Sequence, residues 1–208
     1  VADVLCLTPV RGSHRGVGHH GPVTRIVAGA AGGRRLAVPP KGTRPTSDRV
    51  REALFSALEA AAGLDGARVL DLYAGSGALG FEALSRGAVL ATLVESDRAA
   101  VGVLRGNAAA LGMAGADVRA AKVDKVLATT PDAPYDVVFA DPPYALGDAE
   151  LTAVLTALVG NGWTAPGTTV VVERGARSGE PDWPAPLTPV RTRKYGETQL
   201  HWATHGPA

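Results

Sequence analysis

A carboxylate, two prolines and an aromatic ring, Asp141-Pro142-Pro143-Tyr144, close the apolar run Tyr135 to Ala140, YDVVFA. Proline has no N–H, so such a turn offers mainly acceptors: the Asp141 carboxylate and the neighbouring carbonyls. An acceptor-rich turn suits an –NH2 group, and Tyr144 adds a flat face on which a nucleobase can stack. An exocyclic amine is a poor nucleophile because its lone pair is delocalised into the ring. Acceptors on its hydrogens favour a pyramidal nitrogen and stabilise developing positive charge. Holding that nitrogen in line with a methyl donor supplies much of the rest. No metal or covalent nucleophile is needed. Taken alone, the same four residues also fit a plain rigid loop.

A second constellation lies in LDLYAGSGALG, residues 70–80. Gly75, Gly77 and Gly80 form a G-x-G-x-x-G after a strand and before a helix, and Glu95 follows twenty residues after Gly75, at the end of the next strand. In an open α/β sheet ligands bind outside the carboxyl ends of the strands. A carboxylate at position 95 can accept hydrogen bonds from two ribose hydroxyls. These features fit NAD and S-adenosylmethionine alike. Asp71, four residues before Gly75, tilts the choice. A carboxylate there is unfavourable beside a pyrophosphate and suits the positive amino-acid moiety and sulfonium of S-adenosylmethionine.

The elements around these loops follow from periodicity. RVLDLY, AVLATLVES, DVRAA, YDVVFA and TTVVVER read as strands. ALGFEALSRG, DRAAVGVLRGNAAALG, VDKVLATT and DAELTAVLTALV read as helices, two of them stopped by Gly87 and Gly112. Strands alternating with helices imply an α/β fold, a parallel sheet covered on both faces. A final pair of strands turns near Tyr195-Gly196. Asp141 ends the fourth strand and Asp71 lies at the end of the first. In this architecture those strands flank the switch point, so both acids are expected at one pocket.

Ahead of this body, residues 24–40 read as a β-hairpin carrying Arg25, Arg34 and Arg35. A helix capped by Thr46 or Ser47 follows, with Val50, Leu54 and Leu58 on one face. Arg44, Arg49 and Arg51 are expected to stay available for solvent or a phosphate backbone. Net charge is +6 over residues 1–58 and −7 over 59–190, although the whole chain carries only +1. A basic arm on an acidic body suggests an anionic partner met at one end. Residues 1–22 are rich in Gly and His and lack periodicity. They are expected to be an over-extended start or a disordered tail, with Val23 as the true beginning. The single cysteine, Cys6, excludes a disulfide framework and a multi-cysteine metal site. It fits a reducing cytoplasm. The apolar runs are too short for a membrane span. Trp163, Trp183 and Trp202 are read as packing residues, and His19, His20, His201 and His205 form no constellation.

From Thr24 to about Ala203 the chain resembles the RsmD family, bacterial methyltransferases acting on N2 of one guanine in small-subunit ribosomal RNA. GTRPTSDRVREALF, LDLYAGSGALGFEALSRGA, VESDRAA, DVVFADPPY and NGWTAPGTTVVVE carry the resemblance in order and spacing. It implies a Rossmann-like class I S-adenosylmethionine-dependent methyltransferase, with a mostly parallel seven-stranded sheet and an N-terminal β-hairpin extension. Residues 23–58 would form the RNA-contacting extension and 59–208 the methyltransferase domain. The cofactor would be S-adenosyl-L-methionine, held by Asp71, Tyr73, Ala74, Gly75, Ser76, Gly77, Glu95, Ser96 and Val123. Asp141, Pro142, Pro143 and Tyr144 would hold the guanine. Arg25, Arg34, Arg35, Arg44, Thr46 and Arg49 would position RNA. The implied partner is 16S ribosomal RNA in the small subunit or its assembly intermediate, met by a cytoplasmic monomer without metal or membrane. One departure stands out. Such enzymes often carry Asp or Asn after the third strand for the adenine amino group. Here Lys122-Val123-Asp124 occupies that place, so either the Val123 backbone or Asp124 would serve. An adenine-N6 or protein-glutamine amino methyltransferase with the same turn, an NAD-dependent oxidoreductase and a non-catalytic RNA-binding assembly factor are the competing readings.

Overall fold

The computed structural model describes residues 23–40, 47–61 and 63–207. The expectations for residues 1–22, Arg44 and Thr46 lie outside the described residues. The first elements among the described residues are β1 (Val23–Arg25) and β2 (Arg35–Ala37), which pair antiparallel as a separate two-stranded sheet. Helix α1 (Asp48–Ala61) follows, and the Ser47 hydroxyl accepts from the Val50 N–H at its start. Strand and helix then alternate: β3 (Arg68–Leu72), α2 (Ala78–Ser85), β4 (Leu90–Glu95), α3 (Arg98–Leu111), β5 (Ala116–Ala120), α4 (Val123–Leu127), β6 (Val137–Ala140), α5 (Asp148–Gly160) and β7 (Thr169–Gly175). The chain ends on β8 (Leu187–Tyr195) and β9 (Thr198–His205).

The main sheet has seven strands in the order β5-β4-β3-β6-β7-β9-β8. The first five in that order pair parallel, and β9 pairs antiparallel with both β7 and β8. Strand β3 has β4 on one side and β6 on the other. The order reverses there, and the β3 and β6 ends open onto one crevice.

Successive strand residues point to opposite faces, so the sheet divides two cores. Val69, Leu93, Phe139 and Val171 face Phe55, Phe81 and Leu104 of the first helices. Leu70, Val94, Val138 and Val170 face Leu127, Leu151, Leu155 and Trp163 on the other side. Ile26 and Leu36 of the hairpin and Leu54 and Leu58 of α1 belong to the first core. The hairpin and α1 thus share a core with the main sheet. Trp163 and Trp202 are buried, and Trp183 packs against the second core, as their reading as packing residues expects.

The hairpin is sewn to α2 and α3 by buried polar side chains. Glu82, wholly buried, accepts from the Val27 and Ala28 N–H groups at 2.6 and 3.0 Å and pairs with Arg86. The Ser85 hydroxyl accepts from the Ala31 N–H and donates to the Ala28 carbonyl. Gly29 crosses so close to Ser85 that a Cβ there would lie 1.9 Å from the Ser85 carbonyl oxygen, which is why this position has no side chain. Asn107 of α3 accepts from the Ala37 N–H and donates to the carbonyls of Ala37 and Ser76, each at 2.9 Å.

Arg51 corrects the sequence reading. It is wholly buried and unavailable to solvent or phosphate. Its guanidinium donates to the Thr24 hydroxyl and the Arg25 carbonyl and pairs with Asp48 at 2.8 Å. The periodicity of α1 places Arg51 beside the Val50–Leu54–Leu58 stripe. The hairpin that covers it comes from elsewhere in the chain, beyond the reach of local pattern. Among the described residues no helix is long and apolar enough to cross a membrane.

Candidate functional site

The site is assembled from chain segments that follow the carboxyl ends of β3, β4, β6 and β7. At β3, Asp71 is buried against the first turn of α2, where the Gly80 N–H donates to its Oδ2 at 2.9 Å. Burial pushes this carboxyl up to about 7, the Gly80 bond opposes the shift, and the nearby Glu95 adds to it. The chain then turns sharply at Tyr73, whose φ of 62° is the one positive value at a non-glycine residue among the described residues. Strain of this kind costs roughly 1–3 kcal/mol and concentrates at functional sites. Gly75 follows with φ 54° and no neighbour closer than 4.0 Å to a built Cβ. Its N–H donates to Glu95 Oε2 at 3.0 Å, while Glu95 Oε1 accepts from the Ser96 and Asp97 N–H groups at 2.7 Å each. Asp97 caps α3 through the Ala100 N–H.

These groups line a cleft of about 330 Å³, bounded by Tyr73 to Ser76 on one side and by Val38, Glu95, Asp141 and Pro143 on the others. Its chemistry is acidic. Asp71, Glu95, Asp97 and Asp141 border it, and the one cation in its lining among the described residues, Arg51, has both terminal nitrogens of its guanidinium committed to Thr24, the Arg25 carbonyl and Asp48. Among the described residues a pyrophosphate would meet four acidic side chains, Asp71, Glu95, Asp97 and Asp141, and no uncommitted cation, whereas a positively charged ligand is favoured. The residues therefore fit S-adenosylmethionine better than a dinucleotide. Among the described residues no cluster of three His, Cys, Asp or Glu could hold a metal ion.

At β6, the Asp141 N–H points at the Leu72 carbonyl at 3.5 Å, tying the turn to β3. Burial holds the Asp141 carboxyl well above the usual range, and the charges of Glu173 and Asp71 push it further. Pro142 is buried and Pro143 exposed. Tyr144 is 75% exposed, so its ring is offered to whatever approaches. Asp141, Pro142, Pro143 and Tyr144 also border a second, shallow depression of about 30 Å³, completed by Glu173, Arg174, Gly175 and Ser178. The two hollows meet at Asp141 and Pro143. Arg174 steadies this rim by donating to the Leu146 carbonyl at 3.1 Å and pairing with Asp148 at 2.6 Å.

The structure brings Asp71, Tyr73, Ala74, Gly75, Ser76, Glu95 and Ser96 to the acidic cleft, Asp141 and Pro143 to its edge, and Pro142 and Tyr144 to the adjoining depression. Gly77 is absent from the lining; its φ is 82°, and a Cβ there would meet Phe81 and Leu104, so its smallness serves packing. Val123 is buried at the start of α4 and lines a neighbouring groove of about 640 Å³ with Lys122, Asp124, Leu127 and Glu150. Tyr73 and Ser96 border both hollows, so this groove continues the first. Burial, with Glu150 and Asp124 nearby, pushes the Tyr73 phenol up to about 12.

The arginines divide. The side chains of Arg35 and Arg49 are exposed and make no ion pair or hydrogen bond among the described residues. Arg25 pairs with Asp48 at 2.8 Å. Arg34 donates to the carbonyls of Leu111 and Ala110, where it stabilises the negative end of α3. Sequence reasoning misplaced Arg51 and missed Glu173 and Arg174. The signal for the last two was present: VVVER, like VVFAD, is a buried run ending on charge at the rim of the sheet.

Residues 24–204 match the family described as "Conserved hypothetical protein 95". Over 174 residues the chain is 43% identical to the ribosomal RNA small subunit methyltransferase D of Escherichia coli, covering 83% of this chain and 85% of that one. The solved structure of Escherichia coli yhhF superposes with a TM-score of 0.80 at 38% identity, over 90% of this chain and all of that one. The 16S ribosomal RNA N2 methyltransferase RsmC of Thermus thermophilus, solved with AdoMet and guanosine, superposes with a TM-score of 0.67 at 25% identity, over 88% of this chain and 49% of that one. A class I methyltransferase sheet, an acidic cleft at its switch point and this degree of identity lead to one assignment: the chain belongs to the Conserved hypothetical protein 95 family, the family of the RsmD methyltransferases.

Proposed function

We propose that this chain transfers a methyl group from S-adenosylmethionine to the exocyclic N2 amine of a guanine in 16S ribosomal RNA, within the small ribosomal subunit or an assembly intermediate. The observation that carries the reading is the meeting of two hollows at Asp141. One is acidic and suited to a cation, and the other is shallow, walled by an exposed aromatic ring. The name of the Escherichia coli relative supports the RNA class, and the guanosine in the Thermus thermophilus structure supports the base.

When bound, S-adenosylmethionine supplies an electrophilic methyl group on a positively charged sulfur. Asp71 and Glu95 would hold its positive and hydroxyl-bearing parts, with Gly75 leaving room for the backbone to approach. Asp141 takes the hydrogens of the target amine. Its elevated pKa makes it a stronger proton acceptor than an ordinary carboxylate, suited to receive the proton the amine loses. The proline carbonyls accept without competing donors, and Tyr144 stacks on the base. The target guanine must be unpaired or flipped out. Arg35 and Arg49, on the extension formed by residues 23–58, grip phosphates with salt-dependent affinity. The protein acts as a cytoplasmic monomer.

The test is methyl transfer from labelled S-adenosylmethionine to unmodified small subunits, naked ribosomal RNA and duplex DNA, with the product nucleoside identified by mass. N2-methylguanosine from subunits is the expected product. N6-methyladenine in DNA would overturn the substrate and keep the cofactor. Cofactor binding without transfer to any of the three would point to an assembly factor.

A further inference from the structure

We propose that Glu173 reads the N1–H of the target guanine while Asp141 takes the neighbouring amine, making Glu173 the residue that selects guanine over adenine. This inference rests on the guanine-N2 reading above.

The placement follows from the sheet. Strands β6 and β7 are parallel neighbours, and Ala140 pairs with Val172 in the last register position. The next residue on each strand is an acid, Asp141 and Glu173. Adjacent strands lie about 4.8 Å apart, so the two acids start side by side. Ala140 and Val172 both face the second core. Alternation therefore sends both acids toward the other face of the sheet, the face that Asp71 shares. Both line the shallow depression with Pro142, Tyr144, Gly175 and Ser178. A Cβ built on Gly175 would stand 3.7 Å from the Tyr144 ring, so bare backbone keeps the floor beneath that ring low. At about 30 Å³ the depression admits the edge of a base and leaves the ring to stack outside. The Glu173 charge is also the second largest reason for the raised Asp141 pKa, which fits two carboxyls set close together.

The chemistry of the base edges decides what this pair can read. Guanine presents its N2 amine and its N1–H as adjacent donors. Adenine presents its amine beside a bare N1, which is an acceptor. Two side-by-side carboxyls match two adjacent donors, whereas a carboxylate facing a ring-nitrogen lone pair is repelled. The Asp-Pro-Pro-Tyr turn alone takes an amine from either base. A carboxylate has two oxygens, so one can read N1–H whatever the other holds.

The experiment uses the full chain and small subunits reconstituted with either guanine or 2-aminopurine at the target position. 2-Aminopurine keeps the C2 amine, replaces N1–H by an acceptor and lacks O6, so the change in preference made by Glu173→Gln is the readout that isolates N1. Wild-type protein is expected to prefer guanine by about tenfold to a hundredfold in kcat/KM, the worth of one charge-assisted hydrogen bond. Glu173→Gln, whose amide can donate to the bare N1, is expected to narrow that preference by about tenfold or more. Its S-adenosylmethionine affinity should be unchanged, because Glu173 does not line the cofactor cleft. Equal turnover of the two bases by wild type would overturn the proposal, and so would an unchanged preference in Glu173→Gln. If the variant fails to fold, equal turnover of the two bases by wild type still overturns the proposal. If wild type forms no N2-methylguanosine on unmodified subunits, the guanine reading itself fails and the inference falls with it. Formation of N2-methylguanosine without discrimination defeats the inference alone.

Discussion

The seam that joins the hairpin to α2 and α3 and the cleft at the strand ends are both built from buried polar groups, and they treat them in opposite ways. At the seam each acceptor is matched to donors: Glu82 holds two backbone N–H groups and Arg86, and Asn107 bridges Ala37 and Ser76. At the cleft, Asp71 has one bond from Gly80 and a pKa raised to about 7, and Asp141 is held well above the usual range. A buried group that is satisfied stabilises the fold, and one held out of balance by burial and like charge is ready for a ligand. The contrast separates residues that make the molecule from residues that make it act.

Replacements on the two sides should therefore fail differently. Asp141→Asn is expected to lower the rate of transfer by roughly 10²–10⁴-fold. Its Tm at pH 8 should equal or exceed that of wild type, because the change removes an acid whose ionised form the fold disfavours. Thermal melts beside single-turnover rates would check it, and a variant that transfers at a normal rate would take Asp141 out of the chemistry. Glu82→Ala should do the reverse, costing about 3–5 kcal/mol of stability by leaving two buried N–H groups without an acceptor and Arg86 with Glu59 as its remaining carboxylate. Denaturant midpoints measure that cost, and the folded fraction should keep its specific activity.

Titration sharpens the same contrast. The folded pKa of Asp71 lies above its unfolded value, so the native state binds more protons between about pH 4 and 7. The contribution of this group to stability is fully present below the unfolded pKa and is lost as pH rises through the folded one. A bound cation lowers that pKa. S-adenosylmethionine affinity should thus rise as pH climbs from 6 to 8, by up to about tenfold for each unit of pKa that the ligand removes. Proton release seen by calorimetry in buffers of different ionisation enthalpy would confirm it; flat affinity across this range would contradict it.

Asn107→Leu tests whether the two regions communicate, since this side chain holds both the hairpin and the glycine loop. A loss of roughly 1–3 kcal/mol in stability is expected, together with weaker cofactor binding through the released Ser76 carbonyl. The smallest effects belong to the exposed cations. Arg35→Glu or Arg49→Glu should weaken RNA binding and reduce its salt slope by about one per lost contact, leaving S-adenosylmethionine affinity intact. Arg34→Glu should instead lower the melting temperature, because Arg34 stabilises the end of α3.

Local sequence carried much of this molecule. Alternating apolar strands and periodic helices specify a parallel sheet, because burial on both faces demands that pattern. Asp71, Gly75, Glu95 and Asp141 each sit where a strand ends, and right-handed crossovers bring consecutive strand ends to the same edge. Their convergence on one cleft was legible for that reason. The proline pair marks a turn that offers mainly acceptors, because neither proline has an N–H.

Other features were decided only by tertiary packing. Basic residues of the arm look alike in sequence, yet Arg51 is buried, Arg34 stabilises a helix end and Arg35 stays exposed. Gly77 reads as part of a ligand loop and proves to be wedged against Phe81 and Leu104. Glu173 lies in the strand after Asp141 in sequence, separated from it by α5, and becomes its neighbour because β6 and β7 pair in register. Local pattern records which face a residue prefers. Which distant segment covers that face, and which charge then lies beside it, depends on contacts between parts of the chain far apart in sequence, and those exist only once the sheet has closed.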